Sequence, residues 1–429
     1  MNSEDNTQFS YINKTSNTNF KKKDVEDLIF YLLICLCCFY LYLNLEKSKQ
    51  NNINENNNYY YNALKNEIIQ NKIIVKASND ALENKYKEDI VFLQSCLDDT
   101  SIESFERNEE PKLSLIIVIN NKGIYLNRLL KSIQKQEIKE IEIIVVDDCS
   151  TDNNNNSKLL EEYEKIDKRI VVIKNEKKEG FLYSYSIGIL VAKSNYILLI
   201  NEEDMLLSNL KEMYEISRKN GKDINDFSYI QGTLNNFDKE IKMGDKEFKQ
   251  PFIGEMIFFG NYGITFITNK IMKTDILKEA VRTLDDEYLY SKLLFHSDTI
   301  LFISIFSQAQ SYKSFNELFI QFHIIDYNIH NEDINGKYNE LFKSTIYLFQ
   351  YISELKCNSK EIYNKHINFA CQTLILPLNI CNDRKLIVDW DTLNMVVNNT
   401  LNNKDLSEKN KKEINRLLNI IKKKNTNYK

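Results

Sequence analysis

Short apolar runs alternate with amphipathic segments between residues 111 and 200. The apolar runs have the length of β-strands: LSLIIVI (Leu113–Ile119), IEIIVV (Ile141–Val146), RIVVIK (Arg169–Lys174) and YILLI (Tyr196–Ile200). The segments between them place apolar residues at helical spacing, over residues 124–136, 157–166 and 182–193. The pattern predicts an α/β fold whose mostly parallel sheet has helices on both faces. Such a sheet binds ligands outside the carboxyl ends of its strands.

A second pattern lies near the N-terminus, where residues 28–45 form an uncharged run, LIFYLLICLCCFYLYLNL. As a helix this run would measure roughly 27 Å, close to the thickness of the bilayer core. We predict a transmembrane helix over residues 28–45 after a disordered cytoplasmic tail over residues 1–27; a buried core helix and a cleaved signal peptide are the alternatives. Three lysines, at positions 21–23, precede the run and favour a cytoplasmic N-terminus. We therefore expect a single-pass membrane protein of the Golgi or ER with a lumenal C-terminal domain.

Two regions flank the α/β segment. Residues 46–110 combine an asparagine-rich tract with apolar residues at helical spacing, which predicts a partly helical stem. Residues 331–429 also have helical spacing, and no group of acids, histidines or cysteines there suggests chemistry. We expect a C-terminal helical region that packs on the α/β domain or offers a surface to partners.

Composition and charge exclude several classes of function. The formal net charge is -5, and no basic stripe is interleaved with aromatic residues, so nucleic acid is not an expected partner. The 8 cysteines and 4 histidines lack the spacing of zinc ligands. Neither Gly-x-Gly-x-x-Gly nor a P-loop motif occurs, so glycine-rich phosphate binding is not expected.

Acidic residues follow two of the predicted strands. Asp147 and Asp148 end the second strand, and Asn201-Glu202-Glu203-Asp204 follows the fourth. Both groups are expected at one edge, because the carboxyl ends of parallel strands meet there. Carboxylates at that edge would suit a hard divalent cation that neutralises a diphosphate. Taken alone, an acidic run after a strand is more often a solvated turn or a helix N-terminus.

In order and spacing, LSLIIVINN, IEIIVVDDCSTDN, GFLYSYSIGILVAKSNYILLI and the acidic run resemble the family 2 glycosyltransferases with the GT-A fold. The resemblance covers residues 112–210 well and extends more loosely to about residue 326, and VVDDCSTDN is its most specific piece. It implies a Rossmann-like GT-A domain, which we place at residues 111–330.

The resemblance also implies roles for individual residues. Asp148 would contact the nucleotide base, with Asp147 beside it. Glu203 and Asp204 match the last two positions of a motif that binds Mg²⁺ or Mn²⁺ with a sugar nucleotide. Asp286, in LDDEYLY, would be the general base that deprotonates the acceptor hydroxyl, although acids at this point could simply begin a helix.

The sequence departs from the family pattern in three places. In the metal motif, Asn201 replaces the usual first aspartate and Glu203 replaces a frequent third-place aspartate. Tyr185 occupies the position of an arginine in the nucleotide site, where relatives contact the diphosphate. The usual Pro-x-Tyr-Asn after the first strand is changed at residues 118–121. Loss of one charge-stabilising donor can reduce the rate by about 10² to 10³.

The resemblance implies a glycosyltransferase that moves a sugar from a nucleotide-diphosphate-sugar donor to a hydroxyl on a glycan, protein or lipid acceptor. The uncharged run at residues 28–45 adds the expectation that this enzyme is membrane-anchored. Such an enzyme is expected to be inverting and metal-dependent. The alternative is a catalytically inactive relative that keeps the fold for binding or scaffolding; the departures favour the alternative, and the retained acids favour the enzyme.

Overall fold

The computed structural model describes residues 101–426, with gaps at 108, 122, 152–154, 234–235, 251–266, 294–295, 324–333, 356–362, 365–366, 369 and 372–389, together with residues 88, 91–92 and 95–96. The predicted cytoplasmic tail, the predicted transmembrane helix and most of the predicted stem lie outside these residues. Within the described part of the chain, no helix is long and apolar enough to cross a bilayer.

The four predicted apolar strands form one side of a single sheet. They are β1 (Leu113–Ile119), β2 (Ile141–Asp147), β3 (Ile170–Lys174) and β4 (Tyr196–Asn201). Their order is β3-β2-β1-β4, and every neighbouring pair is parallel. All residues of β1 and β2 are buried, so both faces of the sheet are covered here. In this half, the strands end within one residue of their predicted limits.

Helices connect these strands as predicted. They are α1 (Gly123–Gln134), α2 (Asn155–Ile166) and α3 (Phe181–Val191), and α4 (Leu210–Asn220) follows β4. Helix α3 packs directly on β1 and β2. Gly188 permits this close approach, because a Cβ atom at position 188 would lie 2.5 Å from the Ile116 Cγ2 atom. The position of α3 over the sheet therefore depends on a residue without a side chain.

The other side of the sheet differs from the prediction, because its strands are mixed in direction. They are β5 (Met205–Leu206), β6 (Ile224–Thr233), β7 (Asn236–Ile241), β8 (Lys246–Lys249), β9 (Lys270–Lys273) and β10 (Ser311–His323). The order continues β4-β9-β6-β10-β5, with β7 beside β6 and β8 beside β10. Strand β9 is antiparallel to both β4 and β6, whereas β10 is parallel to β6. The expectation of a mostly parallel sheet is therefore wrong for this half, and the sheet as a whole is mixed.

The remaining helices surround this second half and extend beyond it. They are α5 (Thr274–Arg282), α6 (Asp286–Leu289), α7 (Ser297–Gln308), α8 (Ile334–Glu354), α9 (Trp390–Leu401) and α10 (Glu408–Thr426). Helix α7 packs against α3, α5 and α8. One apolar core includes strand residues such as Ile116 and C-terminal helix residues such as Phe349 and Leu417. The described C-terminal helices thus share the core of the sheet.

A charged cluster lies inside the second half of the sheet. Asp226 of β6 and Lys270 of β9 are both fully buried, and the Lys270 Nζ atom is 3.2 Å from the Asp226 Oδ1 atom. The Asn269 amide donates to Asp226 Oδ1 at 2.7 Å, and the Tyr312 hydroxyl donates to Asp226 Oδ2 at 2.8 Å. Burial raises the pKa of Asp226 and lowers the pKa of Lys270. Each charge is therefore held in the core by its partner and by hydrogen bonds.

Candidate active site

The carboxyl ends of β2, β1 and β4 lie side by side at one edge of the sheet. Asn120, the first residue after β1, therefore lies between the two acidic groups. Its backbone N–H donates to Glu202 Oε2 at 3.2 Å, and its side-chain amide donates to the backbone oxygen of Asp148 at 2.8 Å. The structure thus brings the acids after β2 and the acids after β4 to the same edge, with Asn120 as the bridge.

Asp148 is buried and anchors the loop between β3 and α3. Its Oδ1 atom accepts hydrogen bonds from the Asn175 amide at 2.9 Å and from the Glu179 backbone N–H at 2.8 Å. Its Oδ2 atom accepts a hydrogen bond from the Gly180 backbone N–H at 3.0 Å. A carboxylate has about four acceptor positions, so Asp148 retains capacity for one further donor.

Asp147 supports the turn that follows β2. Its side chain is buried, and its Oδ1 atom accepts a hydrogen bond from the Ser150 backbone N–H at 2.9 Å. Cys149 lies in the turn between Asp147 and Ser150 and has the left-handed backbone conformation, with φ of 59°. The contacts of Asp147 are therefore those of a residue that shapes the loop beside Asp148.

Asp204 closes the turn that ends β4. Its Oδ2 atom accepts a hydrogen bond from the Asn201 backbone N–H at 3.0 Å, and its own N–H donates to the Asn201 backbone oxygen at 3.1 Å. Burial raises the pKa of Asp204 to about 8. Glu203, the preceding residue, is only partly buried. The two predicted metal ligands therefore differ, one being enclosed and the other accessible.

Tyr185 does not project into open space at this edge. Its side chain is buried, and its hydroxyl lies 3.2 Å from the Ile200 backbone oxygen and 3.1 Å from the Asn201 Oδ1 atom, to either of which it can donate. Burial raises the pKa of Tyr185, and the nearby carboxylates of Asp204 and Glu202 raise it further. Tyr185 and Asn201, two of the departures from the family pattern, thus form one neutral contact with each other.

The donor set at this edge bears on the predicted Mg²⁺ or Mn²⁺. The described residues contain no group of three or more histidine, cysteine, aspartate or glutamate side chains that could hold a metal ion. Mg²⁺ requires fewer protein ligands than such a group provides, because proteins often bind it through one or two carboxylates together with substrate phosphates and water. Glu203 and Asp204 fit that mode, since a neighbouring cation would favour the ionised form of the buried Asp204 carboxyl.

Asp286, the predicted general base, is exposed and begins the four-residue helix α6. Its neighbours in α6 contact the C-terminal region. The Tyr288 hydroxyl hydrogen-bonds to Glu354, and the Gln350 amide donates to Glu287 at 3.2 Å. These contacts attach α6 to α8. They do not involve the edge formed by β2, β1 and β4, so the assignment of Asp286 stays a prediction.

Asp298 is an acid of this region that the sequence reasoning missed. It lies in the first turn of α7, which packs on α3, and its negative charge contributes to the raised pKa of Tyr185. Its side chain reaches solvent, yet surrounding protein desolvates the carboxyl and raises its pKa. Asp298 is therefore a solvent-accessible acid whose charge acts on Tyr185. The signal in the sequence was Ser297-Asp298 ahead of the apolar run TILFISIF, which is less conspicuous than the three consecutive acids at residues 285–287.

Comparison with known sequences identifies the domain. Residues 114–280 match the family described as Glycosyl transferase family 2. The chain is 31% identical to Glycosyltransferase GlyG of Streptococcus pneumoniae over 128 residues, which are 30% of this chain and 40% of GlyG. It is 24% identical to an uncharacterized glycosyltransferase of Haemophilus influenzae over 286 residues, which are 65% of this chain and 80% of that protein. The match therefore spans less than half the length of GlyG.

Solved structures support the same fold. The crystal structure of S. aureus TarS 1-349 is similar, with a TM-score of 0.52 and 16% identity, over 74% of this chain and 89% of that one. The complex of TarS 1-349 with UDP-GlcNAc matches with a TM-score of 0.50 and 16% identity, over the same shares of the two chains. The sequence match and the similar fold point to the same kind of domain. The acids at the edge formed by β2, β1 and β4 are consistent with both. Residues 114–280 therefore carry a domain that matches glycosyltransferase family 2, and its relatives are glycosyltransferases.

Proposed function

We propose that the domain transfers a sugar from a nucleoside diphosphate sugar to an acceptor hydroxyl, with inversion and with dependence on Mg²⁺ or Mn²⁺. The observation that carries the proposal is the meeting of Asp148 and the acidic run Glu202–Asp204 on either side of Asn120. The complex of TarS 1-349 with UDP-GlcNAc, a protein of similar fold, supports a nucleotide-sugar donor. The acceptor is a hydroxyl of a glycan, a protein or a lipid.

Each acid would have its own part in the reaction. Asp148, which retains an acceptor position, would accept a hydrogen bond from the nucleotide base. Glu203 and Asp204 would hold the divalent cation, which supplies charge neutralisation for the departing diphosphate. Asp147 would keep the turn around Asp148 in place.

For the general base we propose Asp298 in place of Asp286. Asp298 combines access to solvent with a pKa raised by burial, and a base works best when its pKa is closer to the working pH. Its charge raises the pKa of Tyr185, as do the charges of Asp204 and Glu202 in the β4 turn. The contacts around Asp286 are directed instead to α8.

The experiment is release of nucleoside diphosphate by the full-length chain from a panel of UDP and GDP sugars in the presence of Mn²⁺. We expect Asp298→Asn to reduce the rate with the accepted donor by about 10² to 10⁴, because a general base contributes that much. Asp286→Asn is the matched control, and its rate should stay within about threefold of wild type, since the other carboxylates are unchanged. The reverse outcome would assign the base to Asp286.

A second candidate function is nucleotide-sugar binding without transfer. It is favoured by the contact between Tyr185 and Asn201, which puts a neutral pair where the family has an arginine and an aspartate. The same panel separates the two candidates. Metal-dependent binding of a sugar nucleotide with no release and no transfer from any donor would establish the binding protein and contradict the enzyme.

We also propose that residues 28–45 anchor the chain in a membrane, with the C-terminal domain in the lumen of the Golgi or ER. The uncharged run and the lysines that precede it support this topology. Protease protection of the chain in sealed membrane vesicles tests it. A protected C-terminal region is expected, and digestion of that region in intact vesicles would reverse the orientation.

A further inference from the structure

The loop between β3 and α3 brings one lysine to the centre of the candidate active site. The Lys178 Nζ atom donates to the Asn120 Oδ1 atom at 3.2 Å, although the lysine side chain is exposed. Asn120 is the residue that joins Asp148 to Glu202 across the edge of the sheet. The ammonium group of Lys178 therefore contacts the residue that bridges the acids proposed to bind the nucleotide and the metal.

The backbone on the C-terminal side of Lys178 is fixed. Asp148 accepts the N–H groups of Glu179 and Gly180, the two residues that follow Lys178. Gly180 has φ of 93°, and a Cβ atom there would lie 3.2 Å from the Cα atom of Lys292, so the chain passes through a turn that disfavours a side chain. The ammonium group is consequently presented by an ordered loop, which reduces the entropy lost when a ligand is bound.

Three other lysines among the described residues have acidic partners. Lys177 and Lys292 pair with Glu179 at 3.3 Å and 3.2 Å. Lys174 lies 3.7 Å from a carboxylate oxygen of Glu161. The contact of Lys178, by contrast, is with a neutral amide oxygen. A phosphate oxygen can replace the neutral amide oxygen with little loss of free energy, because an ammonium group forms a stronger hydrogen bond with an anion.

We propose that Lys178 binds the diphosphate of the donor and supplies the cation that Tyr185 does not. The inference rests on the proposed function, since it needs a nucleoside diphosphate at this edge. Tyr185 is buried and neutral, and its hydroxyl is engaged with the end of β4, so it offers no charge to a phosphate. Lys178 reaches the same edge from the neighbouring loop. When the donor binds, the Lys178 Nζ atom gives up its hydrogen bond to the Asn120 amide oxygen and donates to a phosphate oxygen instead.

The test is calorimetric titration of the full-length chain with UDP and with uridine, both in the presence of Mn²⁺. We expect Lys178→Met to weaken UDP binding by about 10- to 100-fold, which is the range for loss of a hydrogen bond to a charged group. Uridine binding should be unchanged, because uridine has no phosphate. Lys178→Arg should keep UDP binding within about fivefold of wild type, since the charge remains.

Lys177→Met is the matched control, because it removes the same charge from the adjacent position and leaves Glu179 paired with Lys292. Its affinity for UDP should stay within about twofold of wild type. Wild-type affinity in Lys178→Met, or equal losses for UDP and uridine, would overturn the role of Lys178 while leaving the proposed function standing. Failure of the wild-type chain itself to bind UDP or GDP would overturn both.

Discussion

Two acids buried in the same sheet have contrasting surroundings. Asp226, in the half built from β6, β9 and β10, lies 3.2 Å from Lys270 and accepts further hydrogen bonds from Asn269 and Tyr312. Asp204, at the edge of the other half, accepts one backbone N–H, from Asn201 at 3.0 Å. Burial raises the pKa of both carboxyls. Among the described residues, an ion pair is recorded for Asp226 but not for Asp204.

The contrast separates a structural charge from a functional one. A buried carboxylate without a counter-ion is unfavourable by several kcal/mol. In the Asp226 cluster the chain itself supplies the cation, and the result is a polar core. Among the described residues no ion pair of Asp204 is present, and burial raises the pKa of this carboxyl, as is common for acids at functional sites. Two substitutions test this distinction, and a third tests the packing of the apolar half of the sheet.

Asp204→Asn has the largest expected effect, on the pH dependence of stability. The folded-state pKa of about 8 lies above the ordinary value, so the folded protein keeps a proton that the unfolded chain releases. The contribution of Asp204 to the free energy of unfolding therefore falls as pH rises from about 4 to about 8, by an upper limit of about 6 kcal/mol. Asparagine does not titrate, so this fall is absent in the variant.

Urea unfolding of both proteins in metal-free buffer, from about pH 5 to about pH 9, measures the effect. The stability of wild type relative to Asp204→Asn should decrease up to about pH 8 and then level off. Parallel pH profiles for the two proteins would mean that Asp204 is ionised in the folded chain and has a partner there. The contrast with Asp226 would then disappear.

Lys270→Met tests the other side of the comparison. It leaves the Asp226 carboxylate buried without its cation, and breaking a buried pair in this way is destabilising by about 3 to 5 kcal/mol. Addition of Asp226→Asn should restore part of that loss, since the unpaired charge is removed. Nucleotide affinity per folded molecule should remain at the wild-type value in both variants. A loss of nucleotide affinity in the folded fraction would show that the buried pair also serves the site.

Gly188→Ala has a smaller expected effect, on the packing of the apolar half. A methyl group at position 188 would lie 2.5 Å from the Ile116 Cγ2 atom, so α3 must move away from β1. Overpacking of this kind is destabilising by about 1 to 3 kcal/mol, measured by chemical unfolding. The penalty should shrink in an Ile116→Ala background, where the Cγ2 atom is missing. An undiminished penalty there would refute the steric explanation.

The same comparison explains which parts of the fold the sequence could predict. Strands β1 and β2 are apolar at almost every position and buried throughout, so their limits follow from the hydrophobic pattern. Strand β6 (INDFSYIQGT) and strand β10 (SYKSFNELFIQFH) carry polar residues along their length. Asp226 is an example, because its burial depends on Lys270, a partner more than forty positions away in the chain. Pairings of that kind have no local pattern, so the mixed half of the sheet was not predicted.

The candidate site shows the same division. The acids after β2 and β4 could be placed at one edge because each directly follows a predictable strand. The contacts of Tyr185 with the end of β4, and the approach of Lys178 to Asn120, join residues of separate elements. Asp298 was missed for the same reason, since its place beside Tyr185 depends on how α7 packs against α3. Contacts between residues that are distant in the chain cannot be deduced from a local sequence pattern.

The most direct measurement is calorimetric titration of the full-length chain with UDP and GDP, in Mn²⁺ and in chelator, for wild type and Asp204→Asn. We expect one nucleoside diphosphate to bind wild type at least about tenfold more tightly with Mn²⁺ than without it, and this gain to vanish in Asp204→Asn. Absence of binding of either nucleotide to wild type in Mn²⁺ would contradict the proposed function. A metal-dependent gain that is unchanged in Asp204→Asn would contradict the proposal that Asp204 helps to hold a cation bound with the donor.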